Sequence, residues 1–412
     1  VRLQRNHHNW EGTLVKKIIG VLMALILTFV AAASAMAATK ATKGNNYTIP
    51  KEGTVLQNEE DRKIETKTPA ARNPIIPGES PTTGLQWSGT YLPMLVQISN
   101  PQGTVKYNGA TVKSAGVGNR APWGGQYADI VYEGILYRTG ETRISFLFSD
   151  RLDEGVPTSV GPVRSARIGH VLLREEWQSG FIYAGGPRRE ENNIAEMFNE
   201  LGASDKGVLF DLLTNKWDNY RQRVKGLKNP DNLDVNVVGL RGTIPSTYTA
   251  SAHAFLFSDS NPYTDGYDMA YNINLDWGHK NWLSHFTYDE NENLYYRYSG
   301  DAPYMTYPSA TEAGNVDDTN SVWMSFSNVI IQRVPYEYTN NSKIMPVMQS
   351  VGKGNADIFI GGRYIAGYWV REDNESPTVF YDDKGNELQF TRGKTYIANF
   401  PPEALLTFTG VE

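Results

Sequence analysis

Cysteine is absent from all 412 residues. Its absence excludes disulfides, thiolate nucleophiles, cysteine-ligated metals and a lipid-modified cysteine, so the chain must be held together by a conventional core. Histidine is scarce: six occur, and two of them, His7 and His8, fall in an N-terminal segment expected to be removed. There is no G-x-S-x-G, Walker A, H-E-x-x-H or G-x-G-x-x-G signature. The acidic pairs Asp317-Asp318 and Asp382-Asp383 lack EF-hand spacing and are expected to be solvated turns. No metal and no cofactor is therefore expected. Positive charge is in deficit, with a formal net charge of −6; residues 1–37 carry four cations against Glu11, so the remainder carries −9. Such a surface repels phosphate backbones, which argues against nucleic acid and anionic lipid as partners but allows a local basic pocket.

What is present begins with Lys16-Lys17, an apolar run from Ile18 to Ala33 and then Ser34-Ala-Met-Ala37. These are the three zones of a secretory signal peptide, with cleavage expected after Ala37. Residues 1–37 are assigned to it, with Val15 as an alternative start. The mature protein is expected to be extracytoplasmic, secreted or associated with the cell envelope, and to meet a membrane only through this segment if it stays uncleaved. Residues 38–86 are polar and interrupted by Asn73-Pro-Ile-Ile-Pro77 and Ser80-Pro-Thr-Thr-Gly84. They read as a flexible linker, too polar to pack a core.

Beyond the linker, strand-like runs at 92–99, 129–137 and 142–150 precede a helical pattern from Pro162 to about Trp177. A strand at 181–184 ends at Gly185-Gly186-Pro187, and a second helical pattern covers about 190–201. Strand, hairpin, helix, strand and helix predict a mixed α/β layer over residues 87–262. Residues 263–412 alternate Tyr-rich strands with Asn/Asp/Gly turns and predict a β-rich module. The fold class expected is α+β, a mixed sheet followed by a β-rich module.

The most informative stretch is Gly161-Pro-Val-Arg-Ser-Ala-Arg167. Gly161 suits a helix N-cap and Pro162 the first helical position. Arg164 and Arg167 would then stand on one face beside the free amides of the first turn, where the helix dipole is already positive. Two arginines there call for something anionic, a ligand or buried carboxylates. Alternation along the strand at 129–137 puts Asp129 and Glu133 on one face, available to pair with either arginine. As a glycosidase pair they fail, because four residues of strand separate them by roughly 13 Å. The candidate ligand site is thus Arg164, Ser165 and Arg167, with Glu133 or Asp129 orienting an arginine and Gly185-Gly186 lining the pocket. His170 is the best-placed base, although a Ser165–His170 dyad is rejected because five residues apart on a helix they diverge. Trp277, Trp282, Trp323 and Trp369 read as packing residues before they read as a sugar platform.

Four segments in order carry a resemblance: Ala128-Asp-Ile-Val-Tyr-Glu133, Thr142–Phe148, Gly161–Arg167 and Tyr183-Ala-Gly-Gly186. Together with Tyr296-Arg297, Asn328-Val-Ile-Ile-Gln332, Gly352-Lys-Gly354 and Thr378-Val-Phe-Tyr381, they resemble the YerB-like family of exported bacterial proteins, a domain of unknown function in two parts (DUF3048). The resemblance implies a two-part fold and an extracytoplasmic, Gram-positive setting, and no activity. Two departures stand out: the inserted stretch Pro101–Gly118, and the missing lipobox cysteine common in members, which leaves no residue for a lipid anchor. The function expected is an envelope protein binding an anionic or polar envelope ligand, with a protein partner at the envelope as a further expectation. The alternatives are a hydrolase of wall or carbohydrate material using Glu133 or His170, and a structural assembly module.

Overall fold

Side chains that alternate along a strand must find cover on both faces, and this dictates the architecture. In the computed structural model, the described residues are 53–56, 62–107, 110–115, 121–189, 192–279, 281–300, 302–315, 320–338 and 345–410. The expected signal segment 1–37 and Asp317-Asp318 lie outside them.

One sheet of ten strands forms the frame. In chain order its strands are β1 (Met94–Ile98), β2 (Ile130–Ile135), β3 (Thr142–Phe148), β4 (Gly180–Tyr183), β5 (Leu209–Asp211), β6 (Asn328–Arg333), β7 (Gly352–Ile360), β8 (Arg363–Arg371), β9 (Val379–Tyr381) and β10 (Thr395–Phe400). Across the sheet they run β9-β8-β7-β6-β10-β2-β3-β1-β4-β5. β10 pairs in parallel with both β6 and β2, and β4 in parallel with both β1 and β5. β3 is antiparallel to β1 and β2. β7 is antiparallel to β6 and to β8, so seven strands (β8, β6, β10, β2, β1, β4 and β5) end along one edge. β10, from the C-terminal segment, sits beside β2 of the N-terminal one, so residues 87–262 and 263–412 share a single sheet.

Val96, Ile98, Val131, Ile144 and Phe146 face a second, seven-stranded sheet that includes 272–279, 282–289, 294–299 and 406–409. Leu95, Ile130, Tyr132, Leu147 and Ile397 face the opposite way. There they meet helix α1 (Ile168–Trp177) through Val171, Leu172 and Trp177, and helix α2 (Ile194–Glu200) through Ile194 and Phe198. The result is three layers, sheet on sheet on helix, an α+β fold. Trp277 and Trp369 are buried in these layers as packing residues. The inserted stretch after Pro101 forms an antiparallel hairpin, Gln102–Tyr107 with Ala110–Ala115.

The linker expected at 38–86 is overturned where it is described. Thr54–Leu56 pairs with Leu406–Thr409, and residues 62–86 lie packed along the body. Arg62 donates to Asp357 Oδ1 at 2.5 Å and to the Ala356 carbonyl at 2.7 Å. Arg72 donates to the Glu176 carbonyl at 2.8 Å. Ser80, Thr82 and Thr83 are buried, and all three hydroxyls donate to Asp150. The segment has few apolar residues because it is held by charge-assisted hydrogen bonds, which hydropathy does not register.

Candidate functional site

The arginine segment lies at the edge where β1 and β4 splay apart, the kind of crevice at strand carboxyl ends where open sheets place ligands. Residues 160–166 are extended, and their backbone groups are claimed on both sides. The Val160 and Val163 amides donate to the carbonyls of Val235 and Leu233, at 3.0 and 2.8 Å, and Arg164 N–H donates to the Gln97 carbonyl at 2.8 Å. On the other side the Ala184 amide donates to the Arg164 carbonyl, and the Ala166 amide to the Gly185 carbonyl, each at 2.9 Å. With those groups committed to neighbouring segments, no helix can form, so α1 starts at Ile168 and not at Pro162. Gly161 and Pro162 do not cap it; Arg167 is the N-cap residue, and the imidazole Nδ1 of His170 accepts the Arg167 amide at 3.1 Å.

Three arginines converge here. Arg143, at the start of β3, is 4% exposed and donates to the Ser165 carbonyl at 2.9 Å. Arg167 folds back to the Ala166 carbonyl at 2.7 Å, and Arg164 meets Asp231 at 3.4 Å. Asp231 is also fixed by the Ser99 hydroxyl at 2.6 Å. Among the described residues no ion pair reaches Arg143 or Arg167, so three guanidinium groups face one carboxylate. The buried Nε–H groups of Arg143, Arg164 and Arg167 have no hydrogen-bond acceptor. Burial, then the charges of Arg167 and Arg164, push the Arg143 guanidinium down to about 9. Arg167 is lowered mainly by burial, with Tyr137 opposing. His170 is held well below its usual range by burial and then by Arg143 and Arg167. It is a neutral ring whose Nδ1 is already occupied.

Between these groups lies a cavity of about 20 Å³ lined by Tyr132, Glu133, Arg143, Arg167, His170 and Asn399. That is space for about one water molecule, not for a sugar ring. Of the expected ligand residues Arg167 lines it, whereas Arg164, Ser165, Gly185 and Gly186, each half-buried, do not. Gly185 adopts φ +69°, which a side chain would strain, and its amide donates to Asp211 at 2.9 Å.

Glu133 does not pair with Arg164 or Arg167, contrary to expectation. It shares the face of Val131, toward the second sheet, whereas Ile130 and Tyr132 face the helices. Its Oε1 accepts from Thr142 and from Asn100 at 3.3 Å, and its Oε2 from Arg297 and Tyr396 at 2.6 Å each and Ser284 at 3.3 Å. Five donors occupy the two carboxylate oxygens and leave no lone pair for proton transfer. The Arg297 guanidinium lies 3.8 Å from the Tyr304 ring centroid and 5.4 Å from that of Tyr396.

Asp129 lies outside the site as well. It precedes β2, at the opposite edge from the arginines, and accepts the amides of Ser149 at 2.5 Å and Asp150 at 3.0 Å. Burial first, then Asp150, raise its pKa well above the usual carboxylate range, with Lys394 opposing. Of the expected set, Arg164, Ser165, Arg167 and the Gly-Gly loop come together. Arg143 was missed because, in the sequence, it is one polar position in a strand-like run.

Fold and site together define an α+β protein with a cluster of three arginines at the carboxyl edge of a mixed sheet. The chain belongs to the YerB-like DUF3048 family: residues 115–248 match the "Protein of unknown function (DUF3048) N-terminal domain" and residues 273–397 the corresponding C-terminal domain. Its structure is similar to the crystal structure of YerB protein from Bacillus subtilis, with a TM-score of 0.58 and 23% sequence identity, over 80% of this chain and 99% of that one. That likeness is one of fold. Among curated proteins nothing matches the chain.

Proposed function

We propose that this is an extracytoplasmic binding protein that takes a phosphate- or carboxylate-bearing ligand at the half-buried Arg164 and Arg167, backed by the buried Arg143. The observation that carries the reading is the excess of two positive charges left by Arg143, Arg164, Arg167 and Asp231; each arginine also keeps an Nε–H free for an acceptor, as the carboxylate-matched Arg297 does. An anion would supply both the missing acceptors and the missing charge, with the fork geometry of guanidinium suited to bidentate contact. A purely structural network would instead match its arginines with buried carboxylates, as Arg297 is matched with Glu133. Hydrolysis is disfavoured by the two candidate bases, since the Glu133 oxygens are saturated and His170 Nδ1 is engaged. The export reading rests on the Lys16-Lys17 and Ile18–Ala33 pattern.

Thermal unfolding with phosphate, sulfate and citrate tests the proposal. Phosphate at about a hundredfold excess over its Kd is expected to raise Tm by a few degrees. The Arg164→Gln/Arg167→Gln variant is expected to fold and lose that rise. No rise with any anion, or an equal rise in the variant, would overturn the proposal.

A further inference from the structure

The arginines do not stop at the crevice. Residues 160–163 hydrogen-bond on one side with Leu233–Val235, which pairs antiparallel with Arg221–Arg223. Leu233 lies opposite Arg223 in that ribbon, and the Val163 amide donates to the Leu233 carbonyl. Arg164 and Arg223 are thus two extended segments apart, roughly 10 Å between backbones at ordinary strand spacing. Their charges interact: after burial, Arg221 and Arg164 are what lower Arg223. Arg223 is exposed and held by the side chains of Asn229 and Asn232, at 3.0 and 2.9 Å, both neutral. Arg221 pairs with Asp218 at 2.5 Å and keeps a buried Nε–H without an acceptor.

A row of five arginines therefore leads from the buried Arg143 through Arg167 and Arg164 to the exposed Arg223 and half-buried Arg221. Only Asp231 and Asp218 pair with the row among the described residues. This row is a local reversal of sign on a chain whose net charge is −6. One phosphate group cannot reach from Arg167 to Arg223, whereas a chain of them can. Resting on the anion site proposed above, we infer that the ligand is a linear molecule carrying repeated phosphate groups, its end held in the crevice and its body laid over the 221–223 ribbon.

Calorimetric titration of the full chain with orthophosphate, tripolyphosphate and long-chain polyphosphate, and with polyglutamate as a carboxylate control, tests this. Affinity per molecule is expected to rise on the order of a hundredfold from orthophosphate to the long chain, because each added contact is intramolecular. Polyglutamate is expected to bind far more weakly. Arg221→Gln/Arg223→Gln is expected to abolish most of the rise, and Arg221→Lys/Arg223→Lys to keep it. Equal affinity for orthophosphate and the long chain, a rise that survives the Gln variant, or equally tight polyglutamate would overturn the inference. Orthophosphate binding without a length effect would sink this inference alone. Failure of every anion to bind would sink the underlying site as well.

Discussion

Arg143 and Arg297 are both buried arginines, and their surroundings give them opposite roles. Arg297 has Glu133 within 2.6 Å and two tyrosine rings beside it, whereas Arg143 has two other arginines for neighbours. Removing one partner of a buried pair leaves the other charge uncompensated. Arg297→Ala is accordingly expected to cost about 3–5 kcal/mol in urea unfolding and to leave phosphate binding in place. Arg143→Met is expected to unfold within about 1 kcal/mol of the parent, or above it, because a neutral side chain relieves repulsion. That variant should also lose the phosphate-induced rise in Tm. At this scale the sequence was informative about residue type and not about partner. Arg164 and Arg167 were legible because two cations crowd a short conspicuous motif. The Glu133 partners Arg297 and Tyr396 were not, because only tertiary pairing across more than 160 residues brings them together.

At the scale of elements, the largest departure is the Gly161–Arg167 segment, where local signals favoured a helix start and neighbouring strands took the hydrogen bonds instead. Propensity is a weak prior wherever a chain is threaded between two sheet strands. The polar strap at 62–86 misled for a related reason, its stability coming from Arg62, Arg72 and Asp150 and not from apolar burial. Where the strap crosses the body, Asp150 meets Asp129, and near them half-buried Lys394 donates to the Gln126 carbonyl. Burial lowers the Lys394 ammonium to about 8 from an ordinary 10.5, with Asp129 opposing. Below about pH 8 both folded and unfolded chains hold this proton, and the cost of the buried charge is fully present. Between about 8 and 10.5 the folded chain has released it while the unfolded chain keeps it, so stability from this group rises with pH. The stability of the parent relative to Lys394→Met is therefore expected to increase from pH 7.5 to 10 in paired urea titrations. A constant or falling difference would contradict the assignment.

At the scale of the whole molecule, the strand-like runs Leu92–Ser99, Asp129–Tyr137 and Thr142–Asp150 made the α+β class legible, since each strand is covered on both faces. What they could not convey is that the two segments close one sheet. β10 pairs with β2 from Thr395↔Ile130 to Asn399↔Gly134, and no local pattern encodes that register. Without β10, strand β2 has an unpaired edge and Ile130 and Tyr132 lose cover, so residues 87–262 expressed alone are expected to stay unfolded by circular dichroism. A cooperative melt of that fragment would show that the shared sheet is dispensable. For the proposed anion site at Arg143, Arg164 and Arg167, arginine side-chain NMR reads the atoms concerned. On titration with phosphate, the Nε–H signals of these three residues are predicted to shift together and saturate at one stoichiometric equivalent, while that of Arg174, whose Nε already donates to the Ser179 carbonyl at 2.8 Å, stays put. Three unmoved signals at saturating phosphate would contradict it.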